Sequence, residues 1–599
     1  MRQLTFVLAL MGSALLLSPA ALAQTQSATL RGVVADSSGA VVPGARVVLT
    51  NVDQNRDWKF TTNPAGEYVF VQIPPGNYRL SAEAAGFKTY ERPNIVLQVA
   101  QMAELNISLE VGAISEKMEV TAEAPLLDSV SSSLGEVVNG LSTQALPLNG
   151  RNVLQLVALS PGITTTSASR TANIGTGSIP AINFSANGGR NETSEVLVDG
   201  SSQIVMGMNQ AAYIPTPDAV QEFKIQTNSL SAEYGRTGGA VINIVHRSGT
   251  KDFHGTLYDF LRNDKFDAND FFSNRNGMPK PAFRFNQFGF TSGGPLTPSR
   301  SSTFYFVSYE GVREVKPGSS TRTVPTMKMR QGDFSEVGNI YDPATIDASG
   351  RRQPFPNNQI PSSRFNPVAA KLLQYYPQPN LPGVANNFFS QAGPADVISS
   401  QVGPHNSSND ISVKIDRRIS DRQNLFGRFS WNDQDVALTN FFDNLASPDA
   451  GTWGFRQRSL TLDDTYMLGG WVLHGNAGYA YAANPRDSES NGFDLTTLGL
   501  PASVASAQQI RLFPYVSPAG YAPLGPSSGL IIHNRFHTYN WTGDATRLIG
   551  GHTLKLGGNY RLNRASNYRP ISPGPTFNFS QAWTRPEFNG NTGGDAIAS

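Results

Sequence analysis

Residues 471–483 read WVLHGNAGYAYAA. Trp471, Leu473, Gly475, Ala477, Tyr479 and Tyr481 recur at every second position. Val472, His474, Asn476, Gly478 and Ala480 fill the alternate positions. A period of two sends these sets to opposite faces of one strand. The same pattern recurs on both sides. Leu425, Gly427, Phe429 and Trp431 alternate with Phe426, Arg428 and Ser430; Leu554, Leu556, Gly558 and Tyr560 alternate with Lys555, Gly557, Asn559 and Arg561. An apolar face rimmed by aromatics, opposite a face carrying Arg, Lys and Asn, is the alternation of a transmembrane β-barrel. Lipid would lie outside it, and water or a plug inside.

The connections extend this reading. Strands are expected at 254–263, 283–293, 303–312, 408–416, 424–433, 456–468, 471–483, 536–548 and 553–563. The links run long (264–282), short (294–302), very long (313–407), short (417–423), long (434–455), short (469–470), long (484–535) and short (549–552). A barrel entered from the periplasm predicts this order, because its outer loops are long and its inner turns short. A soluble sandwich has no reason to sort its loops by parity.

Composition agrees. Lys+Arg 47 against Asp+Glu 46 leaves a net charge of +1, without the basic excess of a nucleic-acid binder. The charged fraction, 16%, is well under the roughly 25% of soluble domains. With Cys 0, disulfides and cysteine metal sites are excluded. Residues 1–23 have Arg2, an apolar run from Leu4 to Leu17 and the small-x-small site Ala21-Leu22-Ala23, the signature of a secretory signal peptide. No later run of 18 apolar residues follows, so any crossing of a membrane must use strands.

Residues 27–111 alternate short strand patterns with turn signals at Asp36-Ser37-Ser38-Gly39, Asn63-Pro64-Ala65-Gly66 and Pro74-Pro75-Gly76. About seven strands at this spacing predict a β-sandwich. The stretches GVVADSSGAVVPGARVVL and TTNPAGEYVFVQIPPGNYRLSAEAAGF resemble the carboxypeptidase regulatory-like domain, a transthyretin/Ig-like sandwich related to carbohydrate-binding folds. The resemblance implies a periplasmic accessory module and no peptidase, for every His lies at His246 or later.

Residues 126–250 mix glycines with short apolar pieces, among them Val153 to Leu159, expected to be helical. The series LPLNGRNVLQL, FSANGGRNETSEVLVDG and PDAVQEFKIQTNSLSAEYGRTGGAVINIVHRSGT resembles the α+β plug of TonB-dependent outer-membrane receptors, and the sandwich-plus-plug order is similar to the Oar-like group. RFNQFGFTSGGP, TFYFVSYEGVR and VKIDRRISDRQNLFGRFSW resemble the first strands of that group's barrels. Residues 112–125 are expected to form a mobile extended linker. Within them Met118, Glu119, Val120, Thr121 and Ala122 occupy the place of the family's TonB-binding segment, although Ala122 is smaller than the family pattern favours. Such a segment pairs with its partner as an added strand.

The expected fold is therefore mainly β: sandwich 27–111, linker 112–125, plug 126–250, and a partial antiparallel barrel over 251–599. The resemblance implies 22 strands. Nine are visible, or ten with Thr576 to Trp583, so the expectation is the N-terminal part of a longer receptor. Arg151, Arg190 and Asp199 are candidates to line the lumen or to pin the plug by ion pairs. Asp264, Asp267 and Asp270 are a weak calcium set without EF-hand spacing. His533 and His537 have the i, i+4 spacing of a helical metal pair, but lie beside an expected strand. Neither a catalytic constellation nor a cofactor motif is found. The function implied is outer-membrane uptake of an oligosaccharide, peptide or siderophore, energised by TonB and its inner-membrane complex. An adhesin or secretion-associated protein with a carbohydrate-binding N-terminal domain is the alternative.

Overall fold

The computed structural model describes residues 27–119, 133–165, 184–205, 210–297, 302–315, 319–391 and 405–599, apart from a few single or paired positions. Residues 1–23, expected to be the signal peptide, and the segment Val120 to Ala122 lie outside the described residues.

The N-terminal unit is a sandwich of two sheets. Its strands are β1 (Ala28–Asp36), β2 (Arg46–Asn51), β3 (Arg56–Thr61), β4 (Glu67–Ile73), β5 (Gly76–Glu83), β6 (Thr89–Leu97), β7 (Met102–Glu104), β8 (Ile107–Leu109) and β9 (Lys117–Glu119). One sheet runs β4-β1-β7 with β8 also on β1; the other runs β3-β2-β5-β6-β9. Alternate side chains meet between them: Leu30, Leu49, Trp58, Tyr68, Tyr78, Leu80 and Ile107 are buried. Tyr68 donates its hydroxyl to the Leu105 carbonyl at 2.5 Å, so the ring is buried without an orphaned polar atom. Gly32 of β1 makes this crossing fit. A Cβ there would lie 1.9 Å from the Leu105 carbonyl oxygen.

The plug is built on β10 (Leu134–Asn139), β11 (Ile163–Thr165), β12 (Phe184–Ala186), β13 (Glu195–Val198), β14 (Ser201–Ser202), β15 (Ile204–Val205), β16 (Gln210–Ala211), β17 (Val220–Asn228) and β18 (Val241–His246). The order β10-β17-β18-β13-β14 forms its main sheet. Each piece is too short for a core alone. Together Val138, Val153, Leu156, Val157, Val196, Phe223, Ile225, Ile242 and Ile244 form one. Val153–Leu159 is a 3-10 helix, whose start Asn152 caps through its side chain.

The third unit holds β19 (His254–Asn263), β20 (Arg284–Pro295), β21 (Thr303–Val315), β22 (Ser319–Arg322), β23 (Phe388–Gln391), β24 (His405–Ser420), β25 (Gln423–Leu438), β26 (Gly451–Leu468), β27 (Trp471–Ala483), β28 (Arg486–Ser488), β29 (Tyr515–Pro518), β30 (His533–Ile549), β31 (His552–Tyr568) and β32 (Thr576–Phe579). Nine long strands pair in sequence order, β19-β20-β21-β24-β25-β26-β27-β30-β31, with short β28 added on β26. They overlap all nine expected positions; β19 and β27 keep the expected bounds and the other seven run longer, because the pairing continues into the connections. The expected tenth strand at 576–583 is not in this sheet. β32 instead pairs in parallel with β29 inside the outer loops, and Gln581–Thr584 is a 3-10 turn.

The two faces of the sheet are inverted relative to a soluble protein. Leu425, Phe429, Leu473, Leu556 and Tyr560 point out and are exposed, while Ser412, Lys414, Arg428, Ser430, His474, Asn476, Thr542 and Asp544 point in and are buried. The outer loops are not loose chain. Val324, Leu372, Tyr376, Phe388, Phe442, Leu495, Phe513 and Leu524 bury one another in a cap with its own core. Among the described residues no helix is long and apolar enough to cross a membrane.

Gly32→Ala should destabilise the sandwich by about 1–3 kcal/mol, the range for overpacking a tight site. Hydrogen exchange of the β1 and β7 amides measures it. Protection equal to that of the parent chain would show that the crossing is slack.

Candidate functional site: the plug and its clamps

The plug fills the polar concave face of the long strands, and Asp199 sits at the centre of that contact. The sequence Val198-Asp199-Gly200-Ser201 joins β13 to β14 by a two-residue loop. Asp199 (φ 48°) and Gly200 (φ 73°) are both left-handed, the geometry that Asp-Gly hairpins favour. The turn thrusts the carboxylate at the wall. Lys414 Nζ on β24 lies 3.1 Å from Oδ1, and Arg428 Nε on β25 lies 2.7 Å from Oδ2. The His246 backbone N–H donates to Oδ1 at 3.1 Å, and the Asn476 amide to the Asp199 carbonyl at 3.1 Å. Burial alone would raise the Asp199 carboxyl, but the Lys414 and Arg428 charges outweigh it and hold it below the ordinary carboxylate range.

Arg428 is 0% exposed. Its remaining N–H groups reach Ser430, Ser459 and Thr461 at 2.9, 3.2 and 3.0 Å, so the buried guanidinium is solvated by hydroxyls in place of water. His246 of the plug is pushed down to about 3, chiefly by burial, and is neutral. Its Nδ1 faces the Arg247 carbonyl at 3.0 Å and its Nε2 faces Ser412 Oγ at 2.8 Å. A carbonyl only accepts, so Nδ1 carries the proton and the Ser412 hydroxyl donates to Nε2. Beside this cluster the plug touches the wall directly. A Cβ at Gly478 of β27 would lie 1.8 Å from Ser201 Oγ.

Two further clamps flank the first. Arg151 (φ 55°) follows Gly150 (φ 69°) in a left-handed turn. Its guanidinium pairs with Asp218 of the plug and, at 3.1 Å, with Glu310 of β21. It also lies over Tyr258 and Phe260 of β19, 4.7 and 4.9 Å from the ring centres. On the far side Arg561 of β31 holds Glu195 of β13 at 2.9 Å. Arg190, by contrast, is exposed, and among the described residues it makes no ion pair with the wall.

The remaining sequence candidates do not converge. Asp264 Oδ1 accepts from the Phe283 N–H, which ties the two ends of the loop together, and Asp270 Oδ1 accepts from the Phe272 N–H and caps a turn. Lys280 takes the Asp264 and Asp267 carbonyls. No group of three His, Cys, Asp or Glu among the described residues could hold a metal. His533 and His537 are both on strand β30, not on a helix. They bond separately, to Asp487 at 2.9 Å and to Tyr479 at 3.1 Å.

The sandwich docks at the short-turn end. Lys251 N–H donates to the Asp53 carbonyl at 2.7 Å, Gln221 to the Pro75 carbonyl at 3.0 Å, and Lys224 Nζ to the Ala100 carbonyl at 2.9 Å. Met467, at a short turn of the barrel, packs on the sandwich core. A cavity of about 270 Å³ lies where the three units meet, lined by Arg56, Arg247, Lys414 and Asp416 among others. At the same junction the Val99 N–H donates to Glu222 of β17. Burial pushes the Glu222 carboxyl up to about 7.

The expected linker 112–125 departs from its reading. Gly112 N–H bonds the Gly86 carbonyl at 3.1 Å and Thr89 N–H the Glu116 carbonyl at 2.9 Å, and Lys117–Glu119 is strand β9 on β6. The sequence names Asp199 and Arg151 as plug-pinning candidates and sets Arg428 and Arg561 on the polar face, but does not single out Lys414, Arg428, Glu310 and Arg561 as their partners. Their signal was present: each lies on the polar parity of its strand, where a charge faces the lumen.

The family model described as outer membrane beta barrel domain matches residues 245–599, more than half of the chain. The chain belongs to this family, an outer-membrane β-barrel protein. The carboxypeptidase regulatory-like domain model matches residues 29–110. The TonB-dependent transporter Oar of Myxococcus xanthus is 30% identical over 243 residues, a match covering 39% of this chain and 22% of that protein. Among solved structures, the outer membrane transporter YddB of Escherichia coli is 13% identical with a TM-score of 0.45, over 75% of this chain and 50% of that one. The ferric enterobactin receptor PfeA of Pseudomonas aeruginosa is 12% identical with a TM-score of 0.39, over 73% and 50%. The chain thus spans about half the length of these solved relatives and matches about a fifth of the curated one.

Asp199→Asn leaves Lys414 and Arg428 buried without their counter-charge. Breaking such a pair costs about 3–5 kcal/mol. The variant should show faster exchange of the β13 and β14 amides and admit large antibiotics into cells; parental exchange and permeability would show that the clamp does not seat the plug. Glu222 gives a pH dependence with a defined sign. Its pKa is about 7 when docked, against an ordinary 4.5, so docking is strongest below about pH 4.5 and weakens as pH rises through 7. Protection factors at Val99–Gln101 should fall by up to about two orders of magnitude from pH 5 to pH 8, and Glu222→Gln should flatten that profile.

Proposed function

We propose that this outer-membrane β-barrel protein takes up a large or scarce extracellular ligand, an oligosaccharide, peptide or siderophore, with energy transmitted by TonB. The observation that carries this reading is the plug, seated across the polar face of the strands by buried ion pairs at Asp199, Arg151 and Glu195. A protein that only adheres has no need of a removable stopper in its lumen. Ion pairs suit a stopper that must both seal and move. Each partner is solvated by hydroxyls or a second charge, so the contact is specific, yet it gains little over its hydrated parts. The folded outer cap offers the ligand-binding side, and the sandwich, with Met118 and Glu119 at its β6 edge, offers the periplasmic side. On this reading the ligand biases the plug from above and TonB pulls from below. The 30% identity to a TonB-dependent transporter supports the assignment over the stretch it covers.

The test is copurification with the TonB C-terminal domain, paired with ligand uptake in cells. Deleting 118–122 should abolish both and leave the barrel inserted. Uptake that persists at the parental rate in the deletion strain would refute energised transport by this route.

A further inference from the structure

We propose that the β6 edge of the sandwich is a strand-acceptor site that stores the start of the coupling segment, anchors it through Met118, and must release it before TonB can pair. This rests on the function proposed above.

β9 lies at the end of its sheet, in parallel register with β6: Lys117 beside Thr89, Met118 beside Tyr90, Glu119 beside Glu91. Lys117 and Glu119 are exposed, whereas Met118 turns inward, half-buried against the sandwich core. Thus one side chain of three is used as an anchor, and one backbone edge of the segment is already hydrogen-bonded. A partner that recognises an extended segment needs both its backbone edge and its apolar side chain. Here the sandwich holds one edge and the Met118 side chain.

The hold is built to be weak. It spans three residues, parallel pairing is the less stable kind, and its one ion pair, Lys117 to Glu91 at 3.2 Å, has the lysine 71% exposed, where such pairs contribute little. The approach is firmer. Residues 86–89 bind the chain at Glu110, Gly112, Ile114 and Glu116 through three backbone hydrogen bonds and one from the Thr89 hydroxyl. The segment is therefore delivered to the β6 edge by a fixed lead and retained there by a light clasp. A partner strand offering more than three paired residues outcompetes it.

The chain has no cysteine, so a designed pair stands alone. In the full chain, Glu91→Cys with Glu119→Cys places two thiols on neighbouring positions of β6 and β9. Oxidised, this receptor should bind the TonB C-terminal domain at least about ten-fold more weakly than when reduced. Met118→Ser tests the clasp by a readout independent of TonB: trypsin cleavage after Lys117 should be at least about ten-fold faster than in the parent. Equal affinity of the oxidised and reduced forms overturns the storage site while leaving energised transport intact, as does equal cleavage of parent and Met118→Ser. No affinity in any form, the parent included, overturns the transport reading and the competition with it.

Discussion

A sheet that shows lipid an apolar face must carry its polar residues on the other, and that face cannot stay dry and empty. This constraint organises the molecule. On β25 the outward set is Leu425, Phe429 and Trp431, and the inward set includes Arg428 and Ser430. Arg428 at the wall, fully buried, requires a carboxylate against it, and the body inside the lumen brings Asp199 to within 2.7 Å. Asp199 is delivered by a two-residue turn whose left-handed backbone a branched or bulky residue would resist. The plug's fold and the barrel's alternation are thus two halves of one electrostatic arrangement.

The arrangement fixes position more than it stabilises. Apolar packing would hold a plug to a wall at least as firmly, because desolvating three charges consumes most of what their attraction returns. Charges instead define register: Asp199 fits between Lys414 and Arg428, Arg151 between Asp218 and Glu310, Glu195 against Arg561. Three such contacts spread around the wall leave one seating. At Gly478 the wall's missing side chain admits Ser201 to the strand itself, which a larger residue would block. The plug is keyed by shape at that point and by charge at the others.

Much of this was legible in the chain before folding. Period-two alternation set the strands and their faces, loop parity set which end faced out, and Asp199-Gly200 announced a hairpin turn. What was hidden depended on contacts between distant residues. Thr576–Phe579 has a strand's composition, yet its pairing partner is Tyr515–Pro518 in another loop, a choice no local pattern encodes. The segment 112–119 is polar and short and reads as a linker. It is ordered because residues 86–88 and the edge of β6, some 25 residues earlier, bind it. Lys414 and Arg428 could be placed on the lumen face by parity, but their sharing of one carboxylate could not be read, since Asp199 lies more than 200 positions away.

The plug sheet also has a direction in which it yields. Residue 133, where the described chain resumes, enters β10 at Leu134, which pairs with Asn228, while the other end, Asn139, pairs with Glu222. The sandwich contacts Gln221, Glu222 and Lys224, so the Asn139 end is the periplasmic one and Leu134 lies farther up the lumen. On the proposed transport reading, a pull toward the periplasm applied before Leu134 would double the chain back along β10. In that geometry the ladder opens one hydrogen bond at a time from Leu134, where the same bonds loaded in shear would have to break together. β10 is an edge strand, and its loss uncovers β17 without touching β13, the strand that leads to Asp199. The Asp199 clamp and the pulled strand are thus at opposite edges of one sheet, so on that reading β10 would be drawn out while the plug still blocks the lumen, and release of Asp199 would be the later and harder step.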